Sequence, residues 1–258
     1  MDTLIRLDLA DFVLAVALMA IAIGLSAWQR LGLEWSLAIA TARTIGQLFI
    51  VGAILDIVFR LDNPWTVLAV VLVMLTIAAV VSRNRIGKKI PRVLPLVWIS
   101  IFVSTAFTLS YVNLLIVQPQ RWYEPQYIIP LAGIILGTAI NGAAIAGERL
   151  VSTINASQLE IETHLSLGAT PQQAVAQYRK DAIRAGLIPI LNQMMVIGIV
   201  TLPGIITGQI LSGVNPLDAA SYQILVMFML AFTNLVTAIL VTQGLCHQFF
   251  NSAAQLIR

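Results

Sequence analysis

Charge is what this sequence has least of: only 10% of its 258 residues are Asp, Glu, Lys or Arg, against about 25% in a soluble domain. Cysteine is scarcer still. Cys246 stands alone, which excludes an internal disulfide and any Cys-rich metal cluster. The two histidines, His164 and His247, are far apart in sequence, so they make a weak metal site. No G-x-x-x-x-G-K-[ST] occurs. At Gly87-Lys88, Ser82 stands where the first glycine belongs and Lys89 follows. Neither G-x-S-x-G nor H-E-x-x-H is present, so an intramembrane hydrolase has no support. The chain is therefore expected not to be an enzyme and to hold no cofactor of its own. Any ATP it depends on must be bound elsewhere. The first residues, Met1-Asp2-Thr3, are acidic where a signal peptide is basic, and the first apolar run is expected to stay as a helix.

What fills the space is hydrocarbon: 59% of residues are hydrophobic and the mean hydropathy is +0.89. The apolar residues come in runs of about 20, the length that crosses a ~30 Å hydrocarbon layer as a helix. Lipid offers no water to stray backbone groups, so continuous helices are expected, and barrel-type alternation is missing. Seven spans are predicted, at Leu9–Trp28, Leu37–Phe59, Trp65–Val81, Leu94–Val117, Tyr127–Gly147, Leu187–Ile210 and Tyr222–Cys246. The expectation is an all-α polytopic membrane protein with one transmembrane domain over residues 1–258.

Lys and Arg set the orientation. The expectation is N-terminus outside and C-terminus cytoplasmic, provided the span count is odd; the inner loops then take Arg30, Arg83, Arg85, Lys88, Lys89, Arg92, Arg149, Arg179, Lys180, Arg184 and Arg258. Only Arg6, Arg60 and Arg121 fall outside, and Arg43 lies within a span. The net charge of +3 therefore reads as basic cytoplasmic loops rather than as nucleic-acid binding. The loop Ser82–Arg92 reads as a topology anchor near anionic lipid. Trp28, Trp35, Trp65, Trp122, Tyr123, Tyr127 and Tyr222 lie near span ends, as interfacial aromatics do.

The only long polar stretch is cytoplasmic, about residues 148–186. Glu148–Leu167 is predicted to be an amphipathic helix. Leu150, Ile154, Ile161 and Leu165 share its apolar face, and Glu160 and Glu162 sit away from it. Gly168 breaks the helix. Thr170-Pro171-Gln172-Gln173 then opens another, with Thr170 as cap, Pro171 in the first turn and Gln173 closing a capping box. Ala174, Val175, Tyr178 and Ala182 share the apolar face of this second helix. The product is a rigid helix–turn–helix knob on the cytoplasmic side, suited to a soluble partner.

The run Glu162-Thr163-His164-Leu165-Ser166-Leu167-Gly168-Ala169 has Glu and Gly six positions apart, and so resembles the cytoplasmic loop by which ABC-transporter permeases dock on their ATPase subunit. Thr163 and His164 depart from that pattern, where small residues are usual. Glu148–Ala174, Asn192–Ile224 and Val226–Met229 resemble the FetB-type metal-export permeases, a family with plant relatives linked to aluminium tolerance. The resemblance implies a permease subunit in a bacterial inner membrane, working as a homodimer with a separate ATPase that binds ATP and Mg. It implies a metal ion, iron above all, as cargo. It also places ATPase coupling on Glu160, Glu162, Leu167, Gly168, Ala169, Thr170 and Pro171.

Residues of the spans supply candidates for a transport path. Asp56 and Arg43 are costly in lipid, but Arg43 can snorkel to the inner surface and Asp56 has Arg60 four residues on, a helical ion pair. Asn141 and Glu148 lie on or just below the fifth span. Asn192, Gln193, Met194 and Met195 form a polar and thioether cluster early in the sixth. Thioethers favour soft metals, so the Met pair does not itself argue for iron. Gly133-x-x-x-Gly137 and Gly204-x-x-x-Gly208 allow close helix approach, within one chain or between two. Pro203 is expected to kink the sixth span and, with Gly204 and Gly208, to form a hinge. Two other readings stay open at this point: an ATP-independent secondary transporter or channel, and a non-transporting membrane scaffold.

Overall fold

The computed structural model describes residues 8–87, 90, 92–251, 255 and 256. Met1-Asp2-Thr3, Arg6, Lys88, Lys89 and Arg258, which entered the topology argument, lie outside the described residues. The described chain is helical without a β-strand, and six of its helices are long and apolar enough to cross a membrane. It divides into two compact units, one ending at Asp62 and the other beginning at Asn63.

The first unit is a hairpin of α1 (Leu9–Trp28) and α2 (Glu34–Leu61). The turn between them holds Arg30 and Gly32 at φ of 53° and 70°. Ser26 Oγ donates to Glu34 Oε1 at 3.1 Å beside that turn. Phe12 and Phe49 meet edge to face, with ring centres 6.2 Å apart. Most other side chains of the hairpin are exposed, and most of these are apolar.

The second unit holds α3 (Pro64–Ile86), α4 (Val93–Tyr111), α5 (Pro125–Ala156), α6 (Gln158–Ser166), α7 (Pro171–Ala174), α8 (Ala176–Val196), α9 (Gly204–Leu211) and α10 (Pro216–Gln248). Helix α4 passes into a π-helical stretch, Val112–Val117. Helices α5 and α10 form the centre; they pack on each other, and each packs on α4 and α8, with α3 against α5. At 32 and 33 residues they are about 48 and 50 Å long, well beyond the hydrocarbon layer. Helix α5 carries Pro130 near its start. The predicted fifth span thus runs on past Gly147, unbroken, to Ala156. The amphipathic helix predicted from Glu148 to Leu167 is in fact the end of α5 followed by α6, with a break at Ser157 (φ −109°, ψ 25°).

The predicted sixth span, Leu187–Ile210, is not one helix. Helix α8 ends at Val196, Ile197 turns extended, and Gly198 sits at φ +79°. Gly198 N donates to Thr201 O at 2.9 Å, and α9 restarts only after Pro203. Proline has no N–H and a left-handed glycine ends helical geometry, so the stretch breaks instead of kinking. The two pieces climb beside α10. Gly186 of α8 lies against Asn234, and Ile190, Met194, Ile197 and Ile205 pack in one cluster with Tyr222, Val226 and Leu230.

Two buried clusters fill this unit. The larger gathers Ile86, Val93, Leu150, Ile154, Ile161, Val175, Leu245 and Phe249 at one end, and the smaller surrounds Ile135, Ile190 and Met227. The larger cluster lies where the basic residues fall: Arg83 and Arg85 end α3, Arg92 precedes α4, and Arg149 and Arg179 lie within the 148–186 stretch. Gln248 Nε2 donates to Arg92 O at 3.4 Å and so ties the end of α10 to the start of α4.

Close helix approach depends on glycines other than those of the two G-x-x-x-G patterns. A Cβ built on Gly147 would lie 2.7 Å from Ile86 Cδ1, and one on Gly244 would overlap Leu96. At Gly137, Gly204 and Gly208 it would meet nothing within 4 Å, and at Gly133 only Met74 Cε at 3.3 Å. Gly147→Leu is therefore expected to lower stability by about 1–3 kcal/mol through overpacking. Thermal unfolding in mild detergent would read this, with Gly52→Leu, where a Cβ meets nothing within 4 Å, as the variant that leaves the transition unmoved.

Candidate functional site

The segment from α6 to the start of α8 has the shape its residues predict. Leu150, Ile154 and Ile161 are fully buried, and Leu165 packs on the same cluster. Ala174, Val175 and Ala182 are buried with them, and Tyr178 joins from α8. Gly168 adopts φ +92°, a left-handed turn that suits glycine. The capping box is present: Gln173 N donates to Thr170 Oγ1 at 3.3 Å, and Thr170 N to Gln173 Oε1 at 2.9 Å. The helix it opens is short, because α7 ends at Ala174 and α8 begins at Ala176.

Tyr178 braces the two sides of this knob. Its phenol interacts with the side chains of Glu160 and Ser157. Partial burial, and then the Glu160 carboxylate beside it, push that phenol above its ordinary value. The outer surface is left apolar: Leu159 and Leu167 are 80% and 81% exposed. Glu160, Gly168 and Thr170 are exposed beside them, and Glu162, Ala169 and Pro171 are half-buried. An apolar, rigid projection with polar edges is what a protein partner needs in order to grip it.

The path candidates are dispersed. Asp56 belongs to the first unit and pairs with Arg60 at 2.8 Å, both well exposed. Arg43 is exposed on the same helix. Asn141 Oδ1 accepts from Arg85 Nη1 at 3.2 Å, linking α5 to α3, and Glu148 is exposed two turns on. On α8, Met194 packs into the smaller cluster, whereas Asn192, Gln193 and Met195 are exposed. Pro203 caps α9 and Gly204 begins it, so the predicted hinge lies beside a complete break. Among the described residues, no three His, Cys, Asp or Glu side chains come together to hold a metal ion. His164 is exposed on α6 and His247 at the end of α10.

What sequence reading missed is a buried polar seam along α10. Ser104 Oγ and Thr237 Oγ1 lie 2.7 Å apart, and Thr108 Oγ1 and Thr233 Oγ1 2.8 Å, joining α4 to α10. On the other side Asn234, 2% exposed, donates through Nδ2 to Gly186 O at 3.1 Å. Its Oδ1 occupies the space that a side chain at Gly142 would need. Gly186 in turn faces Gly142 O and Ala146, so α5, α8 and α10 meet at a single point. The signal was available, since Thr233, Asn234, Thr237 and Thr242 are polar residues at helical spacing inside an apolar run.

These features define a multi-pass α-helical membrane protein with a knob beyond its basic end. The chain belongs to the family described as the uncharacterised protein family UPF0014, whose model matches residues 9–250. It is 53% identical over 254 residues to a UPF0014 membrane protein of Synechocystis sp., covering 98% of each chain. It is 35% identical over 244 residues to the probable iron export permease protein FetB of Escherichia coli, covering 95% of this chain and 93% of that one. It is also 33% identical over 242 residues to the protein ALUMINUM SENSITIVE 3 of Arabidopsis thaliana, covering 94% and 87%. No solved structure matches.

Two side chains test these local arguments. Thr170→Ala removes the cap and is expected to cost about 1 kcal/mol, read as faster amide exchange across residues 170–175. Asn234→Ala removes the link to Gly186 and leaves a void. It is expected to cost about 1–2 kcal/mol in detergent unfolding, since membrane hydrogen bonds average about 0.6.

Proposed function

We propose that this chain is the membrane-spanning permease subunit of an ATP-driven metal-ion exporter, with the α6–α8 knob as the site where a separate ATPase subunit docks. The observation that carries this reading is the knob itself. It is fixed from within by Ile161, Val175 and Tyr178 and exposes Leu159 and Leu167 outward. The E. coli relative bears the name of a probable iron export permease, which supports a metal ion, and iron first, as cargo. The chain hydrolyses no ATP; ATP and Mg belong to the partner.

The working assembly is two copies of this chain and two ATPase subunits in a bacterial inner membrane. Gly137, Gly204 and Gly208 leave open notches on the surface of one chain, which supports pairing of two copies. Closure of the ATPase pair on ATP moves the knob. Helix α5 and the broken α8–α9 stretch carry that movement into the spans, which then release cargo on the far side. Direction follows from cargo binding the two states unequally. The secondary-transporter reading needs membrane-embedded ionisable groups to couple protons, and of its candidates Asp56 is already paired with Arg60 at 2.8 Å.

The test is affinity purification of the tagged chain from its own cells, with identification of what comes down. Leu167→Asp and Leu159→Asp change only exposed positions. Each is expected to cut the recovered ABC ATPase at least about tenfold, the scale of a docking hot spot, while thermal unfolding stays that of the wild type. An ATPase recovered equally with all three proteins would remove the knob from the docking site.

A further inference from the structure

A cleft of 440 Å³ opens at the basic end, between the start of the α7–α8 arm and the last turns of α10. Its polar walls come from Gln172 and Arg179 on one side and Gln243 and His247 on the other, over an apolar floor of Val175 and Phe250. Among the described residues, no carboxylate lines it. Arg179 is half-buried, and among the described residues no ion pair or hydrogen bond engages its guanidinium. The carboxylate nearest in sequence, Asp181, is engaged by Gln177 Nε2 at 3.1 Å and by Arg184 at 3.7 Å.

Arg179 has no counter-charge among the described residues, so an anion placed in the cleft meets its cation without a competing carboxylate. Guanidinium is also the group whose planar fork fits phosphate and carboxylate oxygens two at a time. The same Arg179 and Gln172 line a second hollow, of 330 Å³, with Lys180 and Arg184. The two hollows form one basic surface holding three cationic side chains. Its volume lies within the range of ordinary small-molecule sites, about 300–1,000 Å³.

We infer that this cleft is an anion site that takes a phosphate group, with Arg179 as the principal contact and the side chains of Gln172, Gln243 and His247 as further donors. The phosphate can arrive on a lipid headgroup, because the cleft lies at the end of a membrane-spanning helix, or as a free phosphate. In either form it bridges α8 to α10 at the root of the knob and stiffens the joint there. Binding itself is independent of the ATPase; only a consequence for coupling rests on the function proposed above.

The test uses the full purified chain. In neutral detergent, inorganic phosphate is titrated against chloride at matched ionic strength, with thermal unfolding as readout. In parallel, neutral-detergent micelles are doped with phosphatidylglycerol or, as the control without phosphate, with diacylglycerol. Wild type is expected to show a saturable rise in unfolding temperature in at least one arm. Arg179→Gln should require about tenfold or more ligand, the scale of one lost charge-assisted hydrogen bond. Arg149→Gln, exposed at the same end but outside the cleft, should match wild type. Stabilisation confined to the phosphatidylglycerol arm identifies the source as lipid, and stabilisation by phosphate identifies it as a free anion. No saturable effect in either arm, or equal loss in Arg149→Gln, overturns the proposal. Should Arg179→Gln fail to fold, Gln243→Leu, which removes only a donor amide from an exposed position, carries the same comparison.

Discussion

The packing of the second unit depends on the point where α5, α8 and α10 approach within the reach of a glycine. Gly142 and Gly186 remove the side chains that would hold those helices apart, and Asn234 fills the gap with one hydrogen bond to a backbone carbonyl. In lipid there is no hydrophobic pull between helices, so close contact and buried hydrogen bonds must supply the association. The hydroxyl pairs between α4 and α10 extend the same logic along the opposite side of α10. Every helix that reaches the knob is positioned by this arrangement: α5 leads into it, α8 leads out, and α10 stands behind both.

Much of this was legible in the residues. The long apolar runs marked the helices, and the start of the first span at Leu9 and its end at Trp28 coincide with α1. The knob was legible because its signals are local: Gly168, the Thr170–Gln173 box and the spacing of Leu150, Ile154 and Ile161 each act within a turn or two. The break at 197–203 was not legible. Hydropathy averages over a window, and Ile197, Ile199, Val200 and Leu202 keep the run apolar while Gly198 and Pro203 end its helical geometry. The helix-packing node escaped for another reason. Gly142, Gly186 and Asn234 are distant in sequence, and their joint meaning exists only once three helices are brought together.

The candidate residues divide along the same line. Those of the knob lie in one body with an exposed apolar surface. Those chosen for a transport path, from Asp56 to Met195, were chosen as polar or sulfur-bearing residues in apolar surroundings, a criterion that does not ask whether they converge. Asp56 has its own partner in Arg60, and Asn141 has Arg85. Family membership adds a permease among the relatives, but it does not tell which of these side chains meets cargo.

Helix α5 is a single rod from Pro125 to Ala156. Because it has no break between its two ends, it behaves as a lever and not as a chain of springs. A tilt of ten degrees about one end displaces the other by roughly 8 Å, given its length of about 48 Å. Pro130, which lacks one backbone donor near the end remote from the knob, is the place where such a rod yields first. A displacement of one end of such a helix is carried to the other along all but its first turns, where Pro130 stands.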